Sequence, residues 1–116
     1  MSIKEIITYP IKDLLDALRN KIISAEELTN IHIKQINSVN PSLNAVVQDS
    51  FDSAIKTAKF MDNNFNENNK KPLFGLPFTL KDSIDTKNII STWGTEGRTN
   101  FIPEQNATVA ERLINA

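Results

Sequence analysis

A chain of 116 residues has room for one small domain or for part of a larger one. Thirteen basic and fourteen acidic side chains leave a net charge of −1, so no strong field draws the chain to nucleic acid or to an anionic membrane. The absence of cysteine excludes disulfides, thiolate metal sites and a cysteine nucleophile, and a single histidine, His32, excludes a multi-histidine metal centre.

The opening residues lack the long apolar run of a signal peptide, and no later stretch is apolar enough to span a bilayer, so a cytoplasmic protein is expected. Ile11, Leu14, Leu15, Leu18 and Ile22 follow the i, i+3, i+4, i+7 spacing of a buried helical face and predict a helix from Pro10 to Asn20. Ser24 and Glu27 form a capping box that opens a second helix, expected to stop near Asn40 because proline at 41 disfavours a helical residue before it. Its buried stripe is Leu28, Ile31, His32, Gln35, Ile36 and Val39. Leu43–Val47 reads as a strand or an extended link. A third helix starts near Asp49 or Ser50, with Phe51, Ala54, Ile55, Ala58, Met61 and Phe65 on one face. The segment 62–71 holds five asparagines and reads as a polar surface loop.

At Pro72 the character changes. Phe78-Thr79-Leu80-Lys81 alternates apolar and polar, the pattern of a half-buried strand that Pro77 can begin. Residues 82–105 read as loops with a short strand at Ile89–Ile90 and one helical turn. Thr108 and Glu111 have the spacing of a second capping box, opening a last helix. That helix has about two turns before the chain ends, and helices this short are marginal alone. The pattern implies the N-terminal part of a larger domain, with a helical part over 1–71 and a strand-bearing part over 72–116.

Lys81 is the first candidate for chemistry. At the end of a strand, in a water-poor site, a lysine can shed its charge and act as a general base. The plain alternative is a solvated ammonium beside Asp82, the common state of lysines. Ser53-Ala54-Ile55-Lys56 has the Ser-x-x-Lys spacing of penicillin-recognising enzymes, but their companion elements are absent and both polar residues fall on the outer face of a helix. Gly94-Thr95-Glu96-Gly97 has the form of a backbone-gripping Gly-x-x-Gly loop, yet Glu96 would repel phosphate. His32, on a mostly apolar stripe, reads as a packed side chain.

The segment Pro72-Leu73-Phe74-Gly75-Leu76-Pro77-Phe78-Thr79-Leu80-Lys81-Asp82-Ser83-Ile84-Asp85-Thr86-Lys87 resembles the opening of the amidase signature family. There a Pro-Leu-x-Gly-apolar-Pro strand leads into a Lys-Asp or Lys-Glu pair, followed by Asp-Thr-x-Gly. Asn88 stands where glycine is common, and asparagine tolerates left-handed backbone. Ser91-Thr92-Trp93-Gly94-Thr95 is similar to the family's Thr-Thr-x-Gly-Ser element, and Asn106 to Leu113 to its Asp-Ala-Thr-Val helix. Ile23–Thr29 and Asn40–Val46 resemble its opening helix and turn.

The resemblance implies an α/β fold, here the N-terminal helices and first strand or strands, incomplete. It implies carboxamide cleavage through a Ser–cis-Ser–Lys triad, with Lys81 the catalytic base and both serines beyond residue 116 in the family. The isolated chain is then expected to be inactive. Within the family the first expectation is a carboxamide hydrolase, since Trp93–Arg98 resembles stand-alone amidases, and the A subunit of tRNA-dependent amidotransferases is the runner-up. A different reading is a non-catalytic relic or interaction module of a truncated gene. No cofactor or metal is implied. The expected partner is a small-molecule amide, with no nucleic acid, no membrane, and self-association through an open strand edge.

Overall fold

A computed structural model describes residues 3–116. The order of elements is α1 (Ile3–Ile6), α2 (Ile11–Arg19), α3 (Ala25–Leu43), α4 (Phe51–Asn63), α5 (Phe65–Asn68), a 3₁₀ turn (Glu96–Arg98) and α6 (Thr108–Asn115). Two compact units divide these residues. One holds α1 to α3 with Phe51–Pro77; the other joins Val46–Ser50 to Phe78–Ala116.

The first unit packs α3 against α4 around Leu14, Ala17, Leu18, Ile23, Ala25, Leu28, Ala58 and Phe74. α2 buries Leu14, Ala17 and Leu18, but Ile11 and Ile22 lie 60% and 67% exposed, outside the face their spacing predicts. The cause for Ile22 is the helix end. Lys21 turns left-handed at φ 55°, Ile22 N–H donates to Ala17 C=O at 2.9 Å and Lys21 N–H to Leu18 C=O at 3.1 Å. This is a Schellman cap with lysine in the position glycine usually fills, and it swings Ile22 off the helical register.

The predicted capping box of α3 is present. Glu27 N–H donates to Ser24 Oγ at 3.0 Å, and Ser24 N–H to Glu27 Oε2 at 2.9 Å. A second cap arrives from α4, where Asp62 accepts Ala25 N–H at 2.8 Å and Glu26 N–H at 3.0 Å. All three leading amides of α3 are thereby satisfied. The helix passes Asn40 and carries Pro41 in its last turn, ending only where Asn44 turns left-handed at φ 49°. Proline there forfeits one bond of a turn about to end. Of the predicted stripe, Leu28 is fully buried while Ile31, His32, Gln35, Ile36 and Val39 are half-buried.

The third helix divides at Asn64, and α5 replaces part of the expected loop over 62–71. Phe65 is the reason: its ring meets Phe74 edge-to-face at 5.4 Å, and the Lys21 ammonium lies 4.3 Å from its centroid. Arg19 holds the turn that follows, donating to the carbonyls of Asn69, Lys71 and Pro72 at 3.2–3.4 Å. Gly75 then crosses the α3 terminus at φ 69°, where an added Cβ would lie 3.0 Å from Ala25 Cβ. The glycine of the Pro-Leu-x-Gly motif is thus demanded both by dihedral and by space.

The α/β expectation is overturned: no strand occurs among the described residues, which are helical or irregular. Residues 77–81 alternate as a strand does, but a strand exists only through its ladder. The backbone groups of 77–80 make no hydrogen bond to a second described segment. The strand edge expected to recruit another chain is therefore not formed. Ile89–Ile90 is not a strand either, although Asn88 N–H donates to Pro103 C=O at 3.2 Å and Ser91 N–H to Phe101 C=O at 3.0 Å. Residues 44–50 are a link, and the helical turn expected in 82–105 is the 3₁₀ turn.

Candidate functional site

Lys81 lies in the second unit, where the chain leaves the irregular run 76–81 and enters a turn closed by Ile84 N–H to Lys81 C=O at 2.9 Å. Its side chain is exposed, and no ion pair joins it to Asp82 among the described residues. The water-poor surroundings that base chemistry requires are not built by these residues.

The loop around the lysine is tightly determined. Asp82 accepts Thr92 N–H on one oxygen at 2.9 Å and the Thr92 hydroxyl on the other, in a short hydrogen bond. The Thr92 hydroxyl, and after it the Thr92 N–H, hold the Asp82 carboxyl below its ordinary range. Thr92 Oγ also accepts Gly94 N–H at 3.1 Å. Thr95 N–H closes the turn onto Thr92 C=O at 3.0 Å, and its central residues, Trp93 and Gly94, have φ of 56° and 68°. Positive φ at both centres is the mark of a type I′ turn, which glycine enters freely and tryptophan only under constraint.

Asp85 supplies that constraint. It accepts Trp93 Nε1–H at 3.0 Å and Arg98 Nη2–H at 3.1 Å, and its carbonyl takes Ala107 N–H at 2.8 Å. The Arg98 guanidinium lies 3.6 Å from the Trp93 ring centroid and 3.9 Å from that of Phe101, while Nε donates to Ser91 C=O at 3.3 Å. Ser91, 2% exposed, places its hydroxyl between Thr86 N–H and Ile89 C=O. Asn88 adopts φ 65°, the left-handed backbone its place in the motif requires.

α6 begins without the expected capping box. Ala107 is its N-cap and Glu111 is taken by Asn106, whose Nδ2–H donates to Glu111 Oε2 at 3.0 Å. Asn106 Oδ1 accepts Lys87 N–H at 2.8 Å, tying the helix start to the loop after Asp85. The side chains not singled out from the sequence are Asp82, Asp85, Thr92 and Arg98. Their signal is two acids three residues apart, next to the candidate lysine, with a Trp-Gly pair downstream.

The other motifs gain no geometry for chemistry. Ser53 and Lys56 are both exposed on α4, and Gly94 and Gly97 belong to the I′ turn and the 3₁₀ turn. His32 is half-buried on α3, its basicity lowered by desolvation. Among the described residues no cluster of histidine and acidic side chains could hold a metal ion, and no helix is long and apolar enough to cross a membrane.

A family model described as Amidase matches residues 27–116, which include Lys81 and every member of the surrounding loop. The chain is 33% identical over 111 residues to the A subunit of glutamyl-tRNA(Gln) amidotransferase from Caldanaerobacter subterraneus subsp. tengcongensis, covering 96% of this chain and 23% of that protein. It is 36% identical over 111 residues to the protein of the same name from Rickettsia bellii, and 32% over 110 residues to that of Thermoanaerobacter pseudethanolicus, covering 96% and 95% of this chain and 22% of each relative. The chain thus spans less than a quarter of the length of these curated relatives. No solved structure matches it. With the whole Lys81-bearing half inside the match, the chain belongs to the Amidase family, the amidase-signature enzymes.

Proposed function

We propose that this chain is the N-terminal part of an amidase-signature enzyme that attacks a carboxamide carbonyl, with Lys81 as the base of a Ser–cis-Ser–Lys triad. The observation that carries the reading is the family match over 27–116, which takes in Lys81 and the loop that fixes its backbone. In this reading the neutral Lys81 amine takes a proton from a bridging serine, which takes one from a nucleophilic serine. That serine attacks the carbonyl, the C–N bond breaks as the leaving amine receives the proton, and water then resolves the acyl-enzyme. Both serines come from sequence other than these residues, so the chain contributes one triad member. The cytoplasm is the compartment we propose for this reaction.

Within the family we favour the A subunit of an amidotransferase, releasing ammonia from glutamine, over a stand-alone amidase. Three relatives that carry the amidotransferase name, 32–36% identical along nearly all of this chain, support that choice. The test is a chimera in which this chain replaces the matching N-terminal part of the Rickettsia bellii protein. Ammonia release from glutamine, abolished by Lys81→Ala, is expected. A chimera equally active with alanine at 81 would refute the role of the lysine.

A further inference from the structure

Lys81 is followed directly by Asp82, whose carboxylate is the link between the lysine's backbone and the turn downstream. Here both oxygens of Asp82 are engaged by Thr92, one by its N–H and one by its hydroxyl. The same contact fixes the backbone beside the lysine to the I′ turn, which Asp85 and Arg98 hold from its other side. The Lys81 carbonyl accepts Ile84 N–H while the lysine side chain remains exposed.

We propose that Thr92 and Asp82 form a positioning latch for Lys81, in which the threonine fixes the Asp82 carboxylate and so anchors the backbone next to the lysine for proton transfer. This inference rests on the role of Lys81 proposed above. Neither residue touches the reacting atoms; both act through the lysine. The hydroxyl is the essential element, because a valine of equal shape keeps the N–H bond but frees one carboxylate oxygen.

Two measurements test it. Trp93 is the only tryptophan, so the fluorescence of the 116-residue chain reports the turn directly. Thr92→Val and Asp82→Ala should shift its emission to the red and raise acrylamide quenching, with the helical circular dichroism unchanged; Thr92→Ser should leave it as found. In the Rickettsia chimera, Thr92→Val should lower kcat at least tenfold with KM within twofold, and Thr92→Ser should restore most of the loss. If Lys81→Ala abolishes turnover while Asp82→Ala and Thr92→Val leave kcat intact, the latch is refuted and the lysine's role stands. If Thr92→Ser is as poor as Thr92→Val, the methyl group matters and the hydroxyl does not, which also overturns the proposal. If Lys81→Ala itself is active, the reading of the lysine fails first and the latch with it. Should the chimera be inactive throughout, an unchanged Trp93 signal in Thr92→Val and Asp82→Ala would overturn the latch.

Discussion

The Asp62 carboxylate holds Ala25 N–H at 2.8 Å across 37 residues of sequence, so the start of α3 is capped from α4 as well as by its own Ser24. Two adjacent amides share the two oxygens, since Glu26 N–H reaches the second at 3.0 Å. The site is half-buried, and a helix N-terminus favours a negative partner. Asp62→Ala should cost about 1–2 kcal/mol, at or above the roughly 1 kcal/mol of Ser24→Ala, because it orphans two donors. Urea unfolding of the chain and of both variants checks the order; a midpoint for Asp62→Ala equal to the parent's would show that water replaces the cap.

Gly75→Ala tests the motif glycine. The new methyl group would meet Ala25 Cβ at 3.0 Å and enter a dihedral of φ 69°. Left-handed strain alone is worth on the order of 1–3 kcal/mol, and the contact adds to it. Pairing Gly75→Ala with Ala25→Gly removes the contact and leaves the strain. The double variant should therefore recover only part of the loss, and full recovery would mean that the dihedral costs nothing.

Some local devices were legible in the sequence, and the long-range ones were not. Ser24 and Glu27 announce a helix start because both partners lie within one turn. Asn88 in a glycine position announces a positive φ because that dihedral is set within one residue. Lys21 hides one, since lysine seldom enters left-handed backbone, and spacing alone puts Ile22 on a helical face that it leaves. Phe78–Lys81 carries the alternation of a strand, but alternation states only which side is apolar; pairing depends on a second segment that local pattern does not name. Thr108 and Glu111 have capping-box spacing, yet Asn106 captures Glu111 first. At the candidate site, Lys81 stood out in the sequence by its pattern and its motif, but the contacts of its loop did not. The Asp82–Thr92 contact, ten residues apart, required the fold.

His32 gives a pH prediction. Desolvation on α3 lowers its basicity in the fold, from an ordinary pKa of 6.5. A folded pKa below the unfolded one means that the unfolded chain binds the proton more readily, so stability rises with pH in this window. This contribution is fully present above 6.5 and is lost as pH falls through the lower folded value. Asp82, also held below its ordinary 3.8, loses its contribution only in a far more acidic range. Thermal unfolding should therefore weaken from neutral pH to mildly acid pH, and His32→Gln should flatten that slope. A slope that survives the substitution would assign it to other groups.

The chain by itself should not turn over amides. It supplies the proposed base but neither serine of the proposed triad, and removing single members of such a unit already costs most of the catalysis. Purified chain incubated with glutamine or an aryl amide should release product at the buffer rate. Release that depends on Lys81 would mean that a nucleophile lies within these 116 residues.

Lys81→Arg separates a base from a charge. A lysine that works as a base must give up its proton in a site closed to water, and an amine can do so when desolvated. Arginine keeps its charge under those conditions, reaches as far, and accepts no proton. If Lys81 is a base, Lys81→Arg should fail nearly as badly as Lys81→Ala, by about 10²–10⁴-fold in kcat/KM or more where the triad acts as one unit. If Lys81 serves only to present positive charge, arginine should retain most of the activity. Lys87→Ala is the control, since that exposed side chain lies six residues on and its backbone, not its amine, is bonded to Asn106. It should change kcat/KM by less than about twofold, the scale of a surface substitution outside the chemistry. The three variants are to be compared with the parent in the chimera, with circular dichroism matched to it. Substantial activity in Lys81→Arg would make the residue a structural charge and remove the base from the proposed mechanism.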